Sequence, residues 1–167
     1  MSYTSINTLA EQVIADASAI PDGTLRWALF SRPFGTATLA RGSANTGFKV
    51  TSFAYCVDAV ICAKGNTDDI ALPAFTLATG GTQYVGVYID AAGAFSFTSS
   101  QTSTDIASLP VTYNSTTKQR TCPAFLGYIK IVNATGSDFV SGTTALNASN
   151  VTTTFVNCVF PPLQGAV

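Results

Sequence analysis

Histidine is absent from the chain. That removes Ser-His-Asp and Cys-His nucleophile pairs, whose base is an imidazole. It also removes His-containing zinc, copper and non-haem iron sites. Carboxylates and thiols remain. With Glu11 the sole glutamate, a glycosidase-like carboxylate pair would draw on Asp58, Asp68, Asp69, Asp90, Asp105 or Asp138. Most of these fall at expected turns, where Asp bonds nearby backbone. Asp68-Asp69 lacks the DxDxDG frame of a calcium loop. Cys56, Cys62, Cys122 and Cys158 form no CxxC and fit no zinc spacing. A thiol without a neighbouring base is a poor nucleophile. No P-loop, GxGxxG or GxSxG occurs. The expectation is a chain with no catalytic residue, no metal and no cofactor.

Recognition by contact is the chemistry left. The chain has eleven Phe, six Tyr and one Trp. Tyr84 and Tyr88 share the solvent-side parity of an expected strand. They could stack on a sugar, or serve sheet packing or a subunit contact. Hydrophobic residues make up 47% and charged residues 10% of the chain, well under the usual charged share of about 25%. So few charges leave Thr, Ser, Asn and Ala to cover the surface, and imply apolar surface buried against another chain. The net charge is −1, with eight scattered bases and no basic stripe. Phosphate neutralisation needs such a footprint, so nucleic acid is not an expected partner. No apolar run approaches the roughly 20 residues of a membrane helix, so no membrane is expected either. The opening MSYTSINTLAEQ lacks the basic start and apolar run of a secretory signal. Synthesis in a reducing cytoplasm with free thiols is the matching expectation.

The elements that would position these residues are mostly strands. Ile6, Leu9, Ala10, Val13, Ile14 and Ala17 recur at helical spacing, which predicts one helix over 6–20, stopped by Pro21-Asp22-Gly23. Its stripe, with Ile6, Leu9, Val13 and Ile14 as contact candidates, could pack on its own domain or dock on a neighbour as an arm. Beyond it, strands are expected over 24–31, 36–40 and 48–57, the last returning at 60–64 so that Cys56 and Cys62 lie on facing hairpin strands. Residues 65–69 read as a turn. Gln83–Asp90 alternates, with Val85, Val87 and Ile89 on one face, and returns through Ala91-Ala92-Gly93 to Phe95 and Phe97. Residues 99–123 read as a long, mostly irregular excursion, a kind of loop that is usually functional or interfacial. Phe125–Val132 and Val151–Phe160 are β-rich runs joined through the turn cluster Asn133-Ala-Thr-Gly136. Short strands with turns between them predict an all-β fold, an antiparallel sandwich or barrel, jelly-roll-like, with one N-terminal α-helix. Residues 1–22 would form the helix or arm and 23–167 a single β domain.

Two regions also carry a resemblance. YCVDAVICAKGNTDDIALP at 55–73 and, over 109–161, SLP, then PAFLGYIKIVN, then DFVSGTTALNASNVTTTFVN, resemble a recurrent type of tailed-bacteriophage virion protein. The matching residues are Tyr55, Val57, Asp58, Lys64, Thr67, Asp68 and Asp69, then Leu126–Lys130, then Phe139, Gly142–Thr144, Leu146 and Ala148. Ala59 stands where the hairpin of such proteins has Gly. The resemblance implies a head-decoration, cement or head-fibre protein on the virion head, made in the host bacterial cytoplasm. It implies the major capsid protein and copies of itself as partners, with a homotrimer as the expected assembly. It carries no catalytic residues. Two rival expectations stay open: a receptor- or glycan-binding fibre module using Tyr84, Tyr88 and residues 99–123, and a glycosidase-like depolymerase.

Overall fold

The computed structural model describes residues 31–35, 37–57, 60–100, 112–114, 119–121 and 123–158. Within them the chain is all-β, and every strand pairing is antiparallel. The expected helix over 6–20, and nearly all of the expected strand over 24–31, lie outside these residues. The strands are β1 (Arg32–Pro33), β2 (Ala40–Arg41), β3 (Phe48–Val50), β4 (Phe53–Val57), β5 (Val60–Lys64), β6 (Thr67–Ile70), β7 (Thr76–Leu77), β8 (Thr82–Ile89), β9 (Phe95–Ser100), β10 (Thr112–Asn114), β11 (Gln119–Thr121), β12 (Ala124–Asn133), β13 (Phe139–Val140) and β14 (Val151–Asn157).

The largest sheet has the order β14-β12-β8-β9. β12 is its apolar centre, hydrogen-bonded to β14 on one side and β8 on the other. A central strand covered on both faces needs no polar alternation, which is why AFLGYIKIVN is almost continuously apolar. Between Phe125 and Gly127 the β12–β8 register shifts. Leu126 is the extra residue and is fully buried. Gly127 sits at φ +145°, and a Cβ there would run into the Val156 carbonyl of β14. β8 and β9 form the expected hairpin. Its turn is fixed by Gly93 at φ +80° and by Ala94 N–H donating to Asp90 Oδ1 at 2.8 Å.

A second layer holds the sheets β1-β4-β5, β2-β3-β6 and β13-β7. The core lies between the layers, in a sandwich-like arrangement. Val85, Val87 and Ile89 point into it as their alternation predicts, together with Leu126, Ile129, Ile131, Leu77 and Phe139. Phe48 of β3 sets its edge against Phe95 and Phe97 of β9, both at 5.9 Å between ring centroids. The β4–β5 hairpin is latched to the β8–β9 turn. Tyr55 Oη donates to the Asp90 carbonyl at 2.9 Å. Lys64 Nζ donates to the Gly93 carbonyl at 2.9 Å and lies 5.1 Å from the Phe95 ring centre.

Three local expectations are corrected. The single strand over 48–57 is two strands, interrupted at Thr51-Ser52. There Thr51 N–H turns to the Ala37 carbonyl at 3.2 Å and Ser52 N–H to Asn66 Oδ1 at 2.7 Å. The strand expected over 36–40 is only Ala40–Arg41, paired with β3. Asp68 and Asp69 are not in a turn but on β6, because Phe48 and Val50 pair with Ile70 and Thr67. Most of the stretch 99–123, expected to be irregular, lies outside the described residues; what is described of it up to Thr121 is strand. β9 continues to Ser100, and β10 pairs with β11 through main-chain bonds that polar Thr, Asn and Gln make as well as apolar residues do.

Candidate interaction surface

Directly paired residues of an antiparallel ladder share a face. On that rule the β1-β4-β5 sheet has an outer face made by Arg32, Phe34, Ala54, Cys56, Ile61 and Ala63. Arg32 pairs with Cys56, Cys56 with Ile61 and Ala54 with Ala63. Phe34 continues the register by donating its N–H to the Ala54 carbonyl at 2.9 Å. The opposite face, with Pro33, Phe53, Tyr55 and Val57, is buried. On the outer face Ile61 is 75% and Phe34 52% exposed; Val60, paired with Val57 on the opposite face, is 57% exposed at the hairpin end. Ala54 and Ala63 are exposed between them. Cys56 is buried, its Sγ donating to the Arg32 carbonyl at 3.5 Å.

No reactive group stands out on this face. What it offers is apolar area. Covering Phe34 and Ile61 with another surface is worth roughly 1–2 kcal/mol each at ~25 cal/mol per Å². Sequence reasoning missed these residues. The available signal was the run Val60-Ile61-Cys62-Ala63, which lacks the alternation of a half-exposed strand.

Of the roles left open for Tyr84 and Tyr88, sheet packing is the one the fold gives Tyr88. Tyr88 is fully buried, its ring 5.1 Å from that of Phe125, itself 1% exposed. Thr98 Oγ1 donates to Tyr88 Oη at 3.4 Å. Burial pushes the Tyr88 hydroxyl up to about 12. Parity put Tyr88 on the second face of the large sheet correctly, but that face is not solvent at this position. Tyr84 is half-buried. Its ring lies 6.2 Å from that of Tyr128, with Lys130 Nζ 5.6 Å from its centre. This pair joins Tyr88, Phe125 and Cys158 in a small second cluster.

The acidic pair has a structural occupation. Ser43 N–H and Oγ–H donate to Asp68 at 3.1 and 2.8 Å. The same hydroxyl lies 2.9 Å from Asp69 Oδ2, and Ala44 N–H donates to Asp69 Oδ1 at 2.8 Å. Asp69 N–H donates to Asp68 Oδ1 at 2.8 Å. The Ser43 hydroxyl, then the Asp69 N–H, hold the Asp68 carboxyl below its ordinary value. Both carboxylates therefore brace the 42–47 loop from the facing strand. Gly42 permits this approach, since a Cβ there would collide with Asp69. Among the described residues no cluster of three or more His, Cys, Asp or Glu could hold a metal. Cys56, Cys62 and Cys158 are free thiols, and burial raises the Cys158 thiol. Cys56 and Cys62 do lie on facing strands, one register step apart, with Cys62 opposite Tyr55.

Ile6, Leu9, Val13 and Ile14 lie outside the described residues. Among the described residues no helix is long and apolar enough to cross a membrane. The chain matches no protein-family model, no curated protein and no solved structure.

Proposed function

We propose that this protein is a structural component of a phage virion that adheres to the head surface and stabilises it without catalysis. The virion setting rests on the resemblance at residues 55–73 and 109–161. The observation that carries the adhesive reading is the outer face of β1-β4-β5, where Phe34 and Ile61 stand 52% and 75% exposed on one sheet surface. A monomer gains nothing by presenting such side chains together, whereas a face pressed on a neighbour gains their burial. Its partners would be the major capsid protein and further copies of this chain. Many copies on a symmetric shell multiply contacts that are individually modest. The occupation of Asp68 and Asp69 by the 42–47 loop favours this reading over a depolymerase.

The test is to mix the protein with bare heads of the cognate phage and sediment them. Co-sedimentation to a fixed number of copies per head, with heads that then resist heating better, is the expected result. A folded protein that stays in the supernatant and binds cell-surface glycans would replace this reading with the fibre-module one.

A further inference from the structure

We propose that β5 is an assembly edge, covered by β5 of a second copy of this chain in antiparallel register about a two-fold axis at Cys62. The order β1-β4-β5 leaves β5 outermost. Among the described residues its ladder bonds run only to β4. In an antiparallel ladder every second residue turns its N–H and C=O away from the neighbour it pairs with. Among the described residues the donors and acceptors that β5 turns outward, next to apolar side chains, therefore meet no other strand.

Both edges of the β2-β3-β6 sheet are blunted. β6 carries Asp68 and Asp69, has Asp69 at φ +52° and shifts register against β3. β2 is two residues long. Charges, bulges and shortness are the usual defences of a sheet edge. β5 has none of them over Val60-Ile61-Cys62-Ala63, and its first two residues are 57% and 75% exposed. An edge of that kind is a template for another strand.

The sequence of β5 also complements itself. Turned about Cys62, Ile61 meets Ala63 of the second copy on the outer face, Cys62 meets Cys62, and Val60 meets Lys64. The two lysines then stay at opposite ends of the junction. Each is already held by the Gly93 carbonyl. A parallel pairing would set Lys64 against Lys64, a like-charge contact that costs stability. Charge arrangement thus selects the antiparallel, isologous form. The product is one continuous sheet, β1-β4-β5-β5-β4-β1, whose outer face carries both sets of Phe34, Ala54, Ala63 and Ile61. The homotrimer implied by the resemblance would need a different, head-to-tail contact. This inference uses the free protein only and does not depend on attachment to heads.

Sedimentation velocity of the full chain over a wide concentration range tests it, with Ile61→Lys beside the unaltered protein. The expected result is a reversible dimer whose Kd rises at least tenfold in the variant, with an unchanged circular-dichroism spectrum. Should Ile61→Lys fail to fold, Ala63→Lys on the same exposed face takes its place. Copper-phenanthroline, which oxidises paired thiols, should link the dimer covalently, and Cys62→Ser should abolish the link. A monomer at every concentration, a trimer, a dimer that the lysine leaves unweakened, or a dimer that Cys62 does not link overturns the proposal.

Discussion

Asn133 shows how much a single side chain holds together. It is fully buried at the end of β12. Its Nδ2 donates to the Leu77 and Ser137 carbonyls at 3.1 and 3.0 Å, and its Oδ1 accepts from Asn150 Nδ2 at 2.9 Å. Partners 4, 17 and 56 residues away meet on one amide. Asn133→Ala would remove these three bonds, one of them at a fully buried site and two at part-buried ones. Unmet polar groups of this kind cost about 1–3 kcal/mol each where water cannot reach them. A loss of about 2–3 kcal/mol in urea unfolding is expected, and a loss within about 0.5 kcal/mol would show that the amide is replaceable. Tyr88 makes a prediction about pH. Its folded value of about 12 lies above the ordinary 10.0, so the folded state favours the neutral phenol. Its contribution is fully present below pH 10 and is lost as pH rises from there towards 12. By linkage the loss reaches on the order of 2–3 kcal/mol. Tyr88→Phe should flatten the fall of unfolding stability across that window, although Tyr55 and Tyr128, raised chiefly by burial, keep part of the slope.

At the scale of elements, the bulge in β12 decides how the large sheet closes on the core. The extra residue directs Leu126 inward and brings the β12 backbone against β14 at Gly127. Gly127→Ala meets the Val156 carbonyl, with Asn157 Cα and Leu39 Cδ1 each at 3.1 Å from the new carbon, at a φ that L-residues rarely adopt. Two obstacles of that size together cost roughly 3 kcal/mol or more. A melting temperature unchanged in Gly127→Ala would mean the bulge relaxes freely. The β6 carboxylates make a gentler prediction. Replacing both Asp68 and Asp69 by Ala should speed amide exchange at Ser43 and Ala44 while the β4–β5 amides keep their protection. Because the Asp68 value is depressed in the fold, its contribution is present above the ordinary carboxylate range and fades as pH falls, so acid should loosen the same loop. The sequence makes the β8–β9 hairpin and the β12 run legible, since alternation and continuous apolarity are local patterns. It hides the role of Asp68 and Asp69, because their donors lie 25 or 26 residues away. The break at Thr51-Ser52 is hidden for the same reason, being set by Ala37 and Asn66.

For the whole molecule, strand order determines which apolar residues stay in water, and order is not a local property. Local pattern alone does not foretell the different fates of Ile61 and Tyr88. The assembled sheets leave Ile61 three-quarters exposed on an edge and bury Tyr88 completely. The low charge content pointed to apolar surface, though not to Phe34, Val60 and Ile61 as the exposed residues. Attachment through Phe34 and its neighbours has a distinct physical signature. Apolar contacts are not screened by salt, whereas contacts between exposed charges weaken once the Debye length falls to about 3 Å at 1 M. Occupancy on bare heads should therefore hold, or rise, between about 0.1 and 1 M sodium chloride. Phe34→Ser should lower it severalfold while leaving the unfolding midpoint nearly unchanged, since a side chain 52% exposed contributes little to the fold. Occupancy that drops steeply with salt and ignores Phe34→Ser would locate attachment on charged residues, and the β1-β4-β5 face would then lose its role on the virion.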